Sequence, residues 1–415
     1  MTHAPATHLT SEMQAPPGPP VTNLSRPDTA VFISSDRYTT FIGAKQPPFG
    51  TRSVNLGTSA SDVYPLASST ASHQALDLAV LRTELPPWLA ETKDYWLNTY
   101  SWRDEEKRIN SFPNYRMQIN GVDLHFIALF SSKKDAVPIQ FLHGWPGSFI
   151  EFLPMLSLIR NQYPSAKDLP YHIIVPSLPG YPLSPHPVDK DWSIEDSSAV
   201  LNQLMLSLGF PKYIAQGGDI GSFNARASAL NHDACVGIHL NMMPVKDQPD
   251  ESKLTPLEQK AIKSANRWRQ TGNAYAQEHS TRPSTAGSIL SSNPLALLAW
   301  IGEKFLEWSD TDPDISHILT NISLYWFTSS ILTSLYPYRQ LLGESGFMLS
   351  YVEKPVGFSF FPYELFPGIK HVLEKNGNIV TYGQHESGGH FAALEKPEEL
   401  WGDVEKYVQA VWGKV

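Results

Sequence analysis

The chain has 415 residues, of which 41% are apolar and 18% charged. That mixture can bury enough surface to offset chain entropy, which excludes disorder throughout, and the length suggests two or three lobes around one main core. Lys and Arg number 32 against 41 Asp and Glu, a formal charge of −9 with no basic run longer than Lys133-Lys134, and the single Cys235 allows no intramolecular disulfide; a nucleic-acid or anionic-membrane partner is excluded on charge, and a small neutral molecule is expected instead.

Residues 1–72 are rich in Pro, Ser, Thr and Ala and show no sustained period, so an irregular N-terminal wrapping segment is expected there. The first twenty residues hold five prolines and no apolar core of a signal peptide. No stretch approaches the roughly 18 consecutive apolar residues of a membrane span. A soluble, cytoplasmic chain without membrane anchor is therefore expected, and the sequons at Asn23 and Asn321 carry no weight without a secretory signal.

From residue 73 the texture changes. Leu78, Leu81 and Leu85, then Trp88, Leu89, Trp96 and Leu97, recur at near-helical spacing and lead into Ser101 to Glu105, predicting two short helices. Residues 118–126 alternate about Asn120-Gly121, a hairpin signal. Short apolar runs ending in Gly or Pro then alternate with helical patterns: Val137 to Leu142, Tyr171 to Pro176, Lys212 to Gln216 and Val236 to Asn241. This is the grammar of a mostly parallel sheet covered by helices on both faces. It pauses after Pro244 for helical patterns over Leu254 to Thr271, Ala286 to Ser309 and Ile315 to Tyr336, and resumes at Val356 to Phe360 and Asn378 to Tyr382 before a final helix, Pro397 to Trp412. The division expected is an N-terminal segment (1–72), a first part of an α/β core (73–243), an inserted helical cap (244–345) and a second part of the core (346–415).

Three motifs sit at the ends of predicted strands. Gln216-Gly217-Gly218-Asp219-Ile220-Gly221 has the small-x-acid-x-small form of a sharp strand-to-helix turn that exposes its central residue, here Asp219 where hydrolases of this architecture often carry serine. A plain turn with Asp219 capping the helix fits the same letters. Phe141-Leu142-His143-Gly144-Trp145-Pro146-Gly147-Ser148 follows an early strand, where such folds supply one backbone donor of an oxyanion hole; Trp145 and Ile220 are the expected donors, and His143 is read as structural. His390, after the last strand, completes the order nucleophile, acid, histidine; Glu364 is the candidate acid, with Glu353 and Glu386 as rivals. His385 and His390 are five apart across two glycines, unlike the i, i+4 spacing of a zinc-binding pair, so neither a metal nor any other cofactor is expected.

An aspartate nucleophile selects the chemistry. Serine attacking an sp³ carbon would leave an ether that water cannot cleave through an acyl carbon. A carboxylate leaves an ester, cleavable by water activated by a histidine, and it needs no base near neutral pH because the ordinary pKa of aspartate is about 3.9. Alkylating electrophiles, epoxides or haloalkanes, fit this design.

At this point the residues resemble the microsomal type of epoxide hydrolase within the α/β-hydrolase fold, particularly its soluble fungal members. The resemblance rests on WRDEEKRINSF (102–112), HGWPGSFIEF (143–152), VPSLPGY (175–181), QGGDIGSF (216–223), AYAQEHSTRPST (274–285), residues 295–308, residues 355–365 and GGHFAALEKP (388–397). It implies a cofactor-independent enzyme with Asp219 as nucleophile, His390 as general base and Glu364 as its orienting acid. It also implies that Tyr275 and Tyr338 are paired cap tyrosines that bind and protonate the epoxide oxygen, with Tyr336 the rival of Tyr338. Phe149 and Trp326, with Trp145, are candidate pocket walls. The expected reaction is the opening of an apolar epoxide to a vicinal diol. A dedicated epoxide-opening enzyme of specialised metabolism, a haloalkane dehalogenase and a silent binding scaffold are the alternatives, and homodimer formation stays open. The N-terminal segment departs from the amphipathic wrapping segment usual in the family.

Overall fold

The computed structural model describes residues 87–187, 191–342 and 350–415. The predicted segment 1–72 and the periodic Leu78, Leu81 and Leu85 lie outside the described residues. The two expected short helices are α1 (Pro87–Asn98) and α2 (Trp102–Asn110), the second started by Ser101, whose hydroxyl accepts from the Asp104 N–H. The hairpin signal gives β1 (Asn114–Ile119) and β2 (Val122–Leu129), paired antiparallel with Ile119 opposite Val122. Asn120 and Gly121 take φ of 48° and 84°, the left-handed pair that a tight hairpin turn demands.

Six further strands, β3 (Val137–Leu142), β4 (Tyr171–Pro176), β5 (Tyr213–Gly217), β6 (Cys235–Leu240), β7 (Val352–Phe360) and β8 (Gly377–Gln384), complete an eight-stranded sheet of order β1-β2-β4-β3-β5-β6-β7-β8. β2 joins β4 antiparallel, and every pairing from β4 to β8 is parallel. All six residues of β3 and of β4 are buried, as a strand covered on both faces requires. Their side chains alternate between two cores: Ile173 and Val175 join one, Ile174 the other. Helices α3 (Leu153–Gln162), α4 (Ile194–Ser207) and α5 (Asp219–Asn231) follow β3, β4 and β5. Cys235 is buried in β6.

Between β6 and β7 the chain runs through seven described helices: α6 (Pro256–Thr271), α7 (Ala274–Thr281), α8 (Pro283–Leu290), α9 (Pro294–Trp308), α10 (Ile315–Thr328), α11 (Ile331–Ser334) and α12 (Pro337–Leu341). Two helical patterns read as continuous are each broken. Asn293 caps α9 with its side-chain oxygen and Pro294 occupies the first turn, ending the stretch from residue 286. Ser329 turns left-handed at φ 53°, ending α10. The inserted layer grips the core through α10: the Asn321 amide donates to the Pro146 carbonyl at 2.6 Å and the Tyr325 hydroxyl to the Gly147 carbonyl at 2.8 Å. Asn321 is fully buried, so the second sequon is sealed in the interior. After α13 (Lys370–Leu373) and β8, α14 (Ala392–Glu395) and α15 (Pro397–Val411) close the chain against the sheet. Among the described residues no helix is long and apolar enough to cross a membrane.

The helix after β5 packs so closely on β3 that a Cβ on Gly221 would run into the Leu142 carbonyl group, while one on Gly402, in α15, would meet nothing within 4 Å. Gly221→Ala is expected to cost about 1–3 kcal/mol and to lower the thermal midpoint, whereas Gly402→Ala leaves it unchanged or raises it. Thermal unfolding of the two variants checks this.

Candidate active site

Strands β3 and β5 are neighbours with Leu142 opposite Gly217, so the loops leaving their carboxyl ends run side by side. One carries Gly144 and Trp145, the other Gly218 and Asp219. Asp219 is held at φ 42°, a left-handed conformation that an ordinary residue adopts only under constraint. It opens α5, and Ile220, next in that first turn, has a backbone N–H with no acceptor inside the helix. The Trp145 N–H donates to Asp219 Oδ1 at 2.7 Å. A Cβ on Gly144 would collide with the Asp219 carboxylate, so glycine is required for that approach.

The loops after β7 and β8 deliver the other two groups. The Tyr363 N–H bonds the Gly388 carbonyl at 3.1 Å, and residues 363 and 389 form an isolated bridge, which aligns Glu364 with His390. His390 Nδ1 lies 3.0 and 3.1 Å from the two Glu364 oxygens, and Nε2 lies 3.4 Å from Asp219 Oδ2. Glu364 also accepts from the Phe366 N–H at 3.2 Å. Burial alone would lower the proton affinity of His390; the Glu364 carboxylate, with Asp219, overrides it and raises the imidazole well above its ordinary range. The rivals Glu353 and Glu386 are exposed and do not approach His390. His385 instead pairs with Asp403 at 2.7 Å. His143 is structural: its Nε2 accepts from the Leu178 N–H at 3.0 Å and its Nδ1 lies 3.2 Å from the Gly144 carbonyl.

Tyr275 and Tyr338 come together over Trp145 although 63 positions separate them in sequence. Tyr275 stacks on the Trp145 ring at 5.2 Å and 14°, Tyr338 meets it edge-on at 5.8 Å, and the two phenols are 5.8 Å apart, centroid to centroid. Burial pushes both phenols far above their ordinary pKa, so each keeps its proton. Tyr336 instead sits against His186, centroids 6.1 Å apart. Of the candidate walls, Trp145 belongs to this cluster. Phe149 packs edge-on against His125 of β2 at 4.7 Å, in the core layer, and Trp326 is half-buried near the end of α10.

The sequence reading did not single out His279 or Trp308. His279, one turn after Tyr275, touches Trp145 at 4.6 Å and Tyr338 at 4.9 Å between centroids. The Trp300 indole donates to its Nε2 at 3.0 Å, and an indole has no acceptor to offer, so the imidazole proton is on Nδ1. Burial holds this imidazole neutral, its pKa lowered to about 3. Trp308 lies beside both Trp145 and His390. Trp145 Nε1, His279 Nδ1 and Trp308 Nε1 are all buried without a hydrogen-bond partner among the described residues, and Tyr338 Oη has only the Tyr275 hydroxyl beside it. Each such group costs about 1–3 kcal/mol, and their gathering in one ring cluster beside a carboxylate marks a place built for a polar ligand atom.

Residues 84–152 match the model for the epoxide hydrolase N terminus and residues 137–298 that for the alpha/beta hydrolase fold. A protein of Dothistroma septosporum is 45% identical over 337 residues, covering 79% of this chain and 80% of that one. Epoxide hydrolase 1 of Oryctolagus cuniculus is 31% identical over 371 residues, 78% of this chain and 80% of that protein. The solved structure of Aspergillus niger epoxide hydrolase superposes with a TM-score of 0.75 at 46% identity, covering 78% of this chain and 85% of that one.

The Tyr338 hydroxyl is buried with only the Tyr275 hydroxyl beside it, so Tyr338→Phe is expected to keep the thermal midpoint within a few degrees of the parent's. A much lower midpoint would show that this hydroxyl has a strong partner in the folded protein.

Proposed function

The chain belongs to the epoxide hydrolases of the α/β-hydrolase fold, hydrolases acting on epoxides, and from that premise we propose that it converts an apolar epoxide to a vicinal diol through a covalent ester on Asp219. The observation that carries the reading is the line of contacts from Glu364 through His390 to Asp219, with the other Asp219 oxygen held by the Trp145 N–H.

In this reading Oδ1, fixed by the Trp145 N–H, becomes the ester carbonyl, and Oδ2 attacks an epoxide carbon. The carbon–oxygen bond of the ring breaks, and the departing oxygen takes a proton from Tyr275 or Tyr338, whose raised pKa supports their presence as neutral donors. Water then loses a proton to His390 Nε2 and attacks the acyl carbon of Asp219. The resulting oxyanion lies where the Trp145 and Ile220 N–H groups are expected to bind it. Esterification neutralises Asp219 and so removes one of the two anions that hold the proton on His390. The imidazole gives up its proton more readily at the step in which it must accept one. Glu364 keeps Nδ1 engaged and Nε2 free for the water, the role of the buried acid in a triad. The aromatic cap favours apolar substrates, since a ring or alkyl substituent packs on Trp145, Tyr275 and Trp308 without leaving a charge unpaired.

Asp219→Ala is expected to lower diol formation from styrene oxide by at least roughly 10³-fold, measured against the parent by product chromatography. His390→Gln retains the nucleophile but not the base, so it should accumulate protein heavier by one epoxide, with the added mass on the Asp219 peptide. Full turnover by Asp219→Ala, or no added mass on His390→Gln exposed to the epoxide, would contradict the mechanism.

A further inference from the structure

The loop that carries Trp145 continues into a 3₁₀ turn, Phe149–Phe152, whose third residue is Glu151. Its side chain folds back over the loop: a Cβ on Gly147 would lie 2.5 Å from Glu151 Oε2. The half-buried carboxyl group has no hydrogen-bond partner among the described residues, so no contact within the protein accounts for an acid at this point. Glu151 does border a small cavity of about 10 Å³ whose walls include Asp219, Asn241 and His390 and the main chain of Gly144 and Gly218. That is about the space one water requires, and a water held there would find the two to four polar partners it needs. Neither cap tyrosine lines the cavity, so it lies on a side of Asp219 apart from the groups that would meet the epoxide oxygen.

We propose that Glu151 is a positioning residue for the water that cleaves the Asp219 ester, holding that water in the cavity against His390 Nε2. The inference rests on the ester reading and deepens its second half. In the step, water loses one proton to His390 Nε2 while its oxygen bonds to the acyl carbon of Asp219. The Cγ–Oδ2 bond of Asp219 then breaks, Oδ2 leaves as a hydroxyl of the diol with the proton from His390, and the regenerated Asp219 carboxyl gives its proton to the tyrosinate left by ring opening. Glu151 accepts a hydrogen bond from the second water proton and changes its own protonation at no stage. Burial pushes its carboxyl up to about 8, opposed by His390 and reinforced by Asp219, so near neutral pH it offers water both a donor and an acceptor. Because Glu151 and Trp145 belong to one loop, the group that holds the water and the group that holds the ester carbonyl share one rigid support.

The test separates the two half-reactions. Parent, Glu151→Gln and Glu151→Ala are mixed with styrene oxide, quenched over time, and analysed by mass spectrometry for the adduct on the Asp219 peptide. The adduct is expected to form at the parent's rate in both variants and to decay about 10- to 100-fold more slowly in Glu151→Ala, so that it accumulates during turnover. Glu151→Gln, which keeps a hydrogen-bonding amide of the same shape, is expected to retain part of the decay rate, and it alone carries the comparison if Glu151→Ala does not fold. Decay at the parent's rate in the variants overturns the inference, as does an equal loss in both half-reactions. A parent enzyme that forms no adduct overturns the ester reading, and this inference with it.

Discussion

Strands β3 and β5 lie side by side with Leu142 opposite Gly217, and this pairing decides where Trp145 and Asp219 meet. Two loops leaving adjacent strands in the same direction cannot avoid each other, and glycines at 144 and 221 remove the side chains that would keep them apart. The result is a backbone N–H aimed at a carboxylate oxygen across 74 residues of sequence. Asp219 is held left-handed by the same crowding, with strand before it and helix after it. Its strain is local, of order 1–3 kcal/mol, and is offset by the buried sheet on which the loops stand. The parallel pairings from β5 to β8 extend the logic, bringing the loops of Glu364 and His390 to the same edge.

The inserted helices work by a different physics. Their contribution over the carboxylate is a closed aromatic cluster, and its polar atoms do not satisfy one another. Trp145, His279 and Trp308 each leave a buried donor unpaired there. A sequence optimised for stability alone would replace these with apolar residues or supply partners. Retaining donors in an apolar box makes each hydrogen bond to a ligand oxygen stronger than it would be in water. His279 belongs to this set because Trp300 fixes its proton on Nδ1. The cluster depends on the core for its position, through Asn321 and Tyr325 of α10 bonded to the Pro146 and Gly147 carbonyls of the Trp145 loop.

Much of this arrangement was legible in the letters. Buried parallel strands read as continuous apolar runs, and the glycines and prolines at their ends mark the functional edge, so Asp219, Trp145 and His390 could be placed at strand ends before any contact was known. Glu364 had two rivals because a loop's letters do not say which acid turns inward; the bridge between residues 363 and 389 does that. Tyr336 and Tyr338 could not be separated by spacing, since two helical positions differ by about 200° in direction and only the packing tells which faces Trp145. The break at Ser329 gave no warning, because serine is not a residue that favours the left-handed region. Glu151 was missed for the same reason as the cap pairing: its meaning comes from a cavity formed by four separate segments.

The central claim is that water attacks the protein and not the substrate. A single turnover in water enriched in oxygen-18, with enzyme in excess over epoxide, tests it directly. The account predicts that the first diol formed carries no label and that the heavy oxygen is recovered in the peptide containing Asp219. Label appearing in the diol from the first turnover, with none in that peptide, would mean that water opens the ring itself, and the roles assigned to Asp219 and His390 would have to be exchanged for those of a base and its partner.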